Sequence, residues 1–168
     1  EVLFSVLFYF PKGGNKFKPT PQLADHSSIS KIKAGYIRFF NAQWLELGLH
    51  DDWITNPVTQ YTYPLEHWSE IKDLDPEIGD IKYVWEKSRF SWALPFIRTD
   101  YHTGTDHSAF LFEQIDSWIR YNPVNKGPNY RCSQEMSLRL WNWSMIFNFY
   151  RDSAHFTEER WKVYQNVI

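Results

Sequence analysis

The stretch that decides the fold is residues 88–123, SRFSWALPFIRTDYHTGTDHSAFLFEQIDSWIRYNP. Apolar residues recur in it at three- and four-residue steps, which is the period of an amphipathic helix. The pattern predicts one helix over 88–103, kinked at Pro95 and ended by Gly104. It predicts a second helix over 105–121, because the Asn-Pro pair that follows forbids continuation. Two such helices joined by a short turn form a helical hairpin.

The helical period continues towards the C-terminal end of the chain. It predicts a third helix from about Ser133 to Arg151 and a fourth that opens at Thr157. The hydroxyl of Thr157 can cap the fourth helix, while Glu158 and Glu159 favour the positive end of its dipole. The body of the chain is therefore predicted to be mainly α and built from helical hairpins.

The N-terminal part has a different pattern. Residues 11–35 are rich in Pro, Gly and Ser with little periodicity, which predicts a linker or a loosely held arm. Over residues 36–71, short aromatic runs broken by Gly48 and Asn56-Pro57 predict extended segments and turns. We thus expect an irregular, partly extended N-terminal segment, with an arm over residues 1–35 and one domain over 36–168.

Size and composition limit the class of protein. The 168 residues are enough for one ordinary domain. Lys and Arg total 18 against 20 Asp and Glu, so neither a nucleic-acid nor an anionic-membrane partner is expected. The apolar run over residues 2–10 is too short to span a bilayer. Aromatic residues make up 19% of the chain, which predicts that some rings face a ligand while others fill gaps between helices.

Two motif blocks carry a resemblance to a known family. Residues 79–90, GDIKYVWEKSRF, are similar to the signature DIKxxWExxRF of the N-terminal domain of heparinase II/III-like polysaccharide lyases. Residues 114–143, QIDSWIRYNPVNKGPNYRCSQEMSLRLWNW, resemble the family's WIxxNPxxxGxNWxxxxExxxRxxNW stretch, with Tyr130 where Trp is usual. The order is the same and the spacing nearly so, and the likeness covers roughly residues 36–150.

The resemblance implies a fold and an activity. The fold is an incomplete (α/α) toroid followed by an antiparallel β-sandwich, both closing on a long anionic glycan. Residues 36–168 correspond to the first part of the toroid, so we expect a chain truncated at its C-terminal end. The implied parent protein is a bacterial, periplasmic or secreted lyase that cleaves uronic-acid-containing polysaccharides, such as glycosaminoglycans, by β-elimination. Its catalytic Asn, Tyr and His are expected after Ile168, so no catalytic residue is assigned here.

The chemistry of β-elimination leaves a role for this chain in positioning. The reaction needs neutralisation of the uronate carboxylate, removal of the adjacent C5 proton and protonation of the departing oxygen. Aromatic faces for sugar rings and Arg forks for carboxylate or sulfate groups are what this chain can supply. The predicted substrate-binding residues are Trp85, Glu86, Arg89, Asn129, Arg131, Glu135, Arg139 and Trp143.

Helical spacing allows more than one role for these residues. Glu135, Arg139 and Trp143 follow each other at i,i+4 steps and would share one helix face. The alternative is that Glu86 with Arg89, and Glu135 with Arg139, are ion pairs or caps that hold the hairpins in register. An intermediate possibility is that these pairs orient Asn129 and Arg131 at the rim of the site.

Metal and nucleophile chemistry is not indicated. His67, His102 and His107 are not at mutual ligand spacing and are expected to be solvent-exposed. The lone Cys132 lacks an evident base and is expected to be a small buried or capping residue. We therefore expect neither a metal nor a cofactor.

Two other functional classes stay open. One is a glycoside hydrolase with Glu86 and Glu135 as its carboxylate pair, although Arg partners would keep both acids ionised. The other is a non-catalytic glycan-binding or scaffold protein. An open run of hairpins would expose apolar faces, so the expected partners are acidic polysaccharide and either the missing C-terminal part or a second copy of the chain.

Overall fold

The computed structural model describes residues 18–47 and 52–167, and the chain is mainly helical, as predicted. The described α-helices are α1 His26–Lys33, α2 Lys82–Ser88, α3 Leu94–Thr103, α4 Ser108–Tyr121, α5 Ser133–Phe149 and α6 Glu158–Gln165. Two antiparallel strand pairs precede α2, namely β1 Tyr36–Phe39 with β2 Gln43–Glu46, and β3 Leu74–Asp75 with β4 Gly79–Asp80. Extended segments therefore do occur in the described N-terminal part.

Local stop and start signals set three helix ends as predicted. Gly104 adopts a left-handed φ of 73° and ends α3. Helix α4 ends at Tyr121, immediately before Asn122-Pro123. The side chain of Thr157 accepts a hydrogen bond from the backbone N–H of Arg160 and so caps α6.

Pro95 does not kink a helix, and the prediction of one continuous helix over 88–103 is wrong. Helix α2 ends at Ser88, Phe90 has a left-handed φ of 61°, and a short 3-10 turn over Ser91–Ala93 leads into α3. Pro95 lies in the first turn of α3, where its missing N–H costs no hydrogen bond. Packing holds Phe90 in this conformation, because its fully buried ring stacks on Trp53 with centroids 5.4 Å apart.

A buried carboxylate, Asp100, fastens the α3–α4 turn to the end of α5. It accepts hydrogen bonds from Thr105 Oγ1, from both the backbone N–H and the Nδ1 of His107, and from the hydroxyl of Tyr150. Burial and the bond to Asp100 raise the pKa of Tyr150 well above its usual range. The prediction of a solvent-exposed His107 is wrong, since its side chain is only 16% exposed.

Three further predictions concern isolated polar residues. His67 is exposed, as predicted. His102 is half-buried and its Nδ1 accepts a hydrogen bond from the backbone N–H of Thr20, so the prediction of free exposure is wrong there. Cys132 directly precedes α5 and is half-buried, but its side chain makes no capping hydrogen bond.

The prediction of a loosely held arm is wrong for residues 26–33. These residues form α1, which is capped by the Asp25 carboxylate accepting from the backbone N–H of Ser28. Ile29 and Ile32, three positions apart, lie on one face of α1 and are buried in the main core. Residues 1–17 of the predicted arm, including the apolar run over 2–10, lie outside the described residues, as does Gly48.

Most of the aromatic excess packs the interior. Five tryptophans are buried, namely Trp53, Trp85, Trp92, Trp118 and Trp143. On the α5–α6 side, Phe147 stacks on Phe156 and Tyr164 with ring centroids 5.5 and 5.2 Å apart. The clearest exception is Trp141, which is 68% exposed on α5.

Among the described helices, none combines the length and the apolar character needed to cross a membrane.

Replacing Ile32 tests whether α1 is part of the core. Ile32→Ala is expected to lower the free energy of unfolding by about 2–5 kcal/mol, because it leaves a cavity beneath α1. Urea unfolding followed by tryptophan fluorescence measures the change. Ser30→Ala, on the exposed side of the same helix, is the control and should change stability by less than about 0.5 kcal/mol. Similar small effects from both variants would contradict the packing of α1.

Candidate functional site

Arg89 is the centre of a buried ion cluster. Its Nε and Nη2 donate to Oε2 and Oε1 of Glu135 over 2.5 and 2.7 Å, and its Nη1 donates to Glu86. The hydrogen bonds from Arg89 to Glu135 outweigh the cost of burial and raise the pKa of Arg89 above its ordinary value. The alternative of a Glu86–Arg89 ion pair is therefore confirmed, and Glu135 joins it from α5.

The cluster ties three parts of the chain together. Arg89 follows the last residue of α2, and the side-chain amide of Asn142 on α5 donates to its backbone carbonyl over 2.8 Å. Glu86 Oε2 accepts a hydrogen bond from the backbone N–H of Phe40, in the turn between β1 and β2. Because these bonds join residues about 46 positions apart, no local sequence pattern could have indicated them.

The alternative of an ion pair between Glu135 and Arg139 is wrong, because the two side chains do not pair. Both oxygens of Glu135 accept from Arg89. Arg139 makes no ion pair with a carboxylate among the described residues. Its guanidinium instead lies over the ring of Trp118, 4.1 Å from the centroid, and donates to the backbone carbonyl of Asn129. Burial lowers the pKa of Arg139 to about 10.

Several other predicted binding residues contact backbone carbonyls or core side chains of the chain itself. Trp85 Nε1 donates to the carbonyl of Pro128, and the fully buried Asn129 donates from its side-chain amide to the carbonyl of Trp53. Arg131 donates to the carbonyl of Ile71 and lies 3.6 Å from the Asp73 carboxylate. Trp143 is buried between Phe90 and Trp118. These contacts give each residue a role in holding segments together.

Four of the predicted binding residues line one or the other of two separate cavities. The larger, about 590 Å³, is called here the arginine cleft; it is lined by Asp25, Ser28, Ile32, Arg38, Phe40, Asn41, Trp44, Glu86, Arg89, Ser91, Trp92, Leu94, Pro95, Arg98, Leu138 and Asn142. The smaller, about 310 Å³, is called the Arg139 pocket; it is lined by Trp118, Tyr130, Ser133, Met136, Ser137, Arg139, Leu140, Trp143 and Val167. Of the predicted residues, only Glu86 and Arg89 line the first, and only Arg139 and Trp143 line the second.

The arginine cleft has one cation without a carboxylate partner. Arg98 pairs with Asp25 over 2.7 Å, and Arg89 is held in its buried cluster. The side chain of Arg38 makes no ion pair or hydrogen bond within residues 18–47 and 52–167 and is exposed. Burial raises the pKa of Asp25, but hydrogen bonds from Ser28 and the charges of Arg98 and Arg38 hold it below its ordinary value.

Aromatic rings lie beside this cation. Arg38 and Trp44 are directly opposite each other in the β1–β2 pair, so they share one face of the hairpin. Phe40 is exposed in the connecting turn, where it and Asn41 both have positive φ. Sequence reasoning missed these residues, because the run around Arg38 indicated only extended structure and the cleft is completed by α1 and α3.

The geometry does not favour the paired carboxylates of a glycoside hydrolase. Glu86 and Glu135 both accept from the same Arg89 guanidinium, and only Glu86 lines the arginine cleft. Glu135 therefore does not face a substrate in that cleft. Within the described residues, no group of three or more His, Cys, Asp or Glu side chains is arranged to hold a metal ion.

Comparison with known proteins adds no relative. No protein-family model, no curated protein and no solved structure matches this chain. The likeness to heparinase II/III-like lyases therefore rests on the two motif blocks alone and stays a prediction.

Removing the central guanidinium tests the ion cluster. Arg89→Met is expected to lower the free energy of unfolding by about 3–5 kcal/mol at pH 7, because two buried carboxylates lose their partner. In the variant, burial and mutual repulsion raise the folded-state pKa of a glutamate above its unfolded value. Stability lost at neutral pH should therefore return in part as the pH falls to about 5.

Urea midpoints at both pH values measure this effect. Arg98→Met is the matched control, because the Arg98 side chain is 53% exposed and exposed pairs contribute less than about 1 kcal/mol. A loss in Arg89→Met that is the same at both pH values would contradict the buried carboxylate pair.

Proposed function

We propose that this chain is the N-terminal glycan-binding portion of a polysaccharide lyase, and that it binds uronic-acid-containing polysaccharide in the arginine cleft. The observation that carries the proposal is the unpaired, exposed Arg38 beside Trp44 at the mouth of a cleft of about 590 Å³. The motif likeness supports the lyase class and a place in an (α/α) toroid. A periplasmic or secreted location is part of the same proposal.

Arg38 is suited to a uronate carboxylate or a sulfate group. Its guanidinium offers parallel N–H donors that match two anionic oxygens, and it makes no ion pair within the described residues that a ligand would have to break. The exposed Phe40 provides a ring on which the apolar face of a sugar can stack. Trp44, which has the Lys31 ammonium 4.9 Å from its ring centroid, also lines the cleft. Asn41, Ser91 and Asn142 line the same cleft and can exchange hydrogen bonds with sugar hydroxyls.

The role assigned to the chain is binding and orientation. The cleft carboxylates, Asp25 and Glu86, each accept from an arginine and are poorly placed to take the C5 proton of a uronate. Neutralising the sugar carboxylate is the first requirement of β-elimination, and Arg38 can contribute to it on binding. The proton-transfer residues of the proposed lyase are expected in the part of the protein that follows this chain.

Titration with defined uronate oligosaccharides tests the cleft. Hexasaccharides of alginate and of heparan sulfate are titrated calorimetrically into the wild type and into Arg38→Ala. Loss of the free guanidinium should weaken binding about tenfold, or about 1.4 kcal/mol, and raised salt should weaken wild-type binding more than that of the variant. Arg120→Ala removes an exposed arginine outside the cleft lining and is the control. Equal affinities for all three proteins would rule out the arginine cleft as the binding site.

A product assay separates the proposed lyase from its rivals. The complete open reading frame that encodes this chain should raise ultraviolet absorbance on a uronate polymer through the unsaturated product, whereas the 168-residue chain alone should not. New reducing ends without that absorbance would indicate a hydrolase. Binding with neither product would indicate a non-catalytic glycan-binding protein.

A further inference from the structure

Arg139 is a buried cation whose predicted carboxylate partner is occupied elsewhere. It is 5% exposed, and no Asp or Glu in the described part of the chain pairs with it. A charged side chain is almost never this buried unless it is paired, because leaving water has to be compensated. Glu135, one turn earlier on α5, is held at both oxygens by Arg89.

The guanidinium retains free hydrogen-bonding capacity. One face is covered by Trp118, and Nη2 donates a hydrogen bond to the Asn129 carbonyl over 3.2 Å. A guanidinium has five N–H donors, so most of those of Arg139 have no protein acceptor among the described residues. The lowered pKa of about 10 still leaves Arg139 positively charged at neutral pH.

The Arg139 pocket is rich in donors and contains no acidic side chain. The hydroxyl of Tyr130 and the Nε1 of Trp143, both on lining residues, are buried without a hydrogen-bond partner within the described ranges. The rest of the lining is largely apolar, from Met136, Leu140 and Val167. Its volume of about 310 Å³ is at the lower end of the range for small-molecule sites.

We infer that the Arg139 pocket is a second binding site, distinct from the arginine cleft, for a small organic carboxylate with an apolar, ring-sized body. The carboxylate would pair with Arg139, and the body would contact the side chains of Met136, Leu140 and Val167. A sugar acid fits this pocket less well, because Ser133 and Ser137 are the only lining hydroxyls besides Tyr130 to pair with sugar hydroxyls. The inference does not depend on the proposed glycan function.

Benzoate and benzamide form a matched pair of probes, because they share a ring and differ in the charge of one group. Each is titrated into the full chain, and binding is followed by calorimetry and by the rise in melting temperature. Benzoate should bind at least tenfold more tightly than benzamide and should raise the melting temperature in proportion to its occupancy. Glucuronate is the third probe and should bind more weakly than benzoate.

Two variants place the probe in the pocket. Arg139→Met keeps an unbranched chain over Trp118 but removes the charge, and it should weaken benzoate binding at least tenfold. Ser137→Phe fills the pocket from an exposed lining position and should also abolish binding while Arg139 is intact. Arg120→Ala is the control for loss of a surface arginine and should bind benzoate as the wild type does.

The outcomes are distinguishable from those of the glycan experiment. No benzoate binding to the wild type, equal binding of benzamide, tighter binding of glucuronate, or unchanged benzoate binding in Ser137→Phe would each overturn the inference. If Arg139→Met does not fold, Ser137→Phe still decides it. Failure of Arg38→Ala to weaken oligosaccharide binding bears only on the arginine cleft.

Discussion

The pairing of Arg89 with Glu135 is the constraint on which the rest of the structure depends. It joins the end of α2 to the first turn of α5, and through Glu86 it also holds the β1–β2 turn. Glu135 pairs with Arg89, and Arg139 on the next turn of α5 makes no ion pair among the described residues. The long-range ion pair shapes the wall of the larger cavity, while the smaller cavity is lined by a buried arginine without an ion pair.

Local patterns predicted those parts of the fold that local physics determines. The ends of α3, α4 and α6 follow from Gly104, Asn122-Pro123 and the Thr157 cap, each of which acts on its own neighbours. Helix α1 was missed because a Pro- and Gly-rich composition hid a single apolar face of two isoleucines. The break at Phe90 was missed because a non-glycine residue there needs tertiary packing to hold it.

The sequence predicted which types of residue the candidate site contains, but not which of them are in contact. The i,i+3 ion pair of Glu86 and Arg89 forms. Glu135 pairs with Arg89, 46 positions away, and not with Arg139 at i,i+4. Arg38 had no partner in its own sequence neighbourhood, and its place in a cleft depends on α1, α3 and α5 meeting around it. Most of the predicted binding residues are buried and contact other parts of the chain. Burial depends on the complete fold, so it could not be predicted from local sequence.

The conformation of Phe90 also limits which sequences can encode this fold. Glycine would adopt the left-handed backbone without strain, but it would leave empty the space that the ring fills against Trp53. Other large side chains could fill that space only at a backbone cost of roughly 1–2 kcal/mol, and β-branched ones fit least well. Position 90 is thus restricted both by its backbone conformation and by the space that its side chain must fill. A saturation library there should return far fewer stable members than one at an ordinary buried helical site.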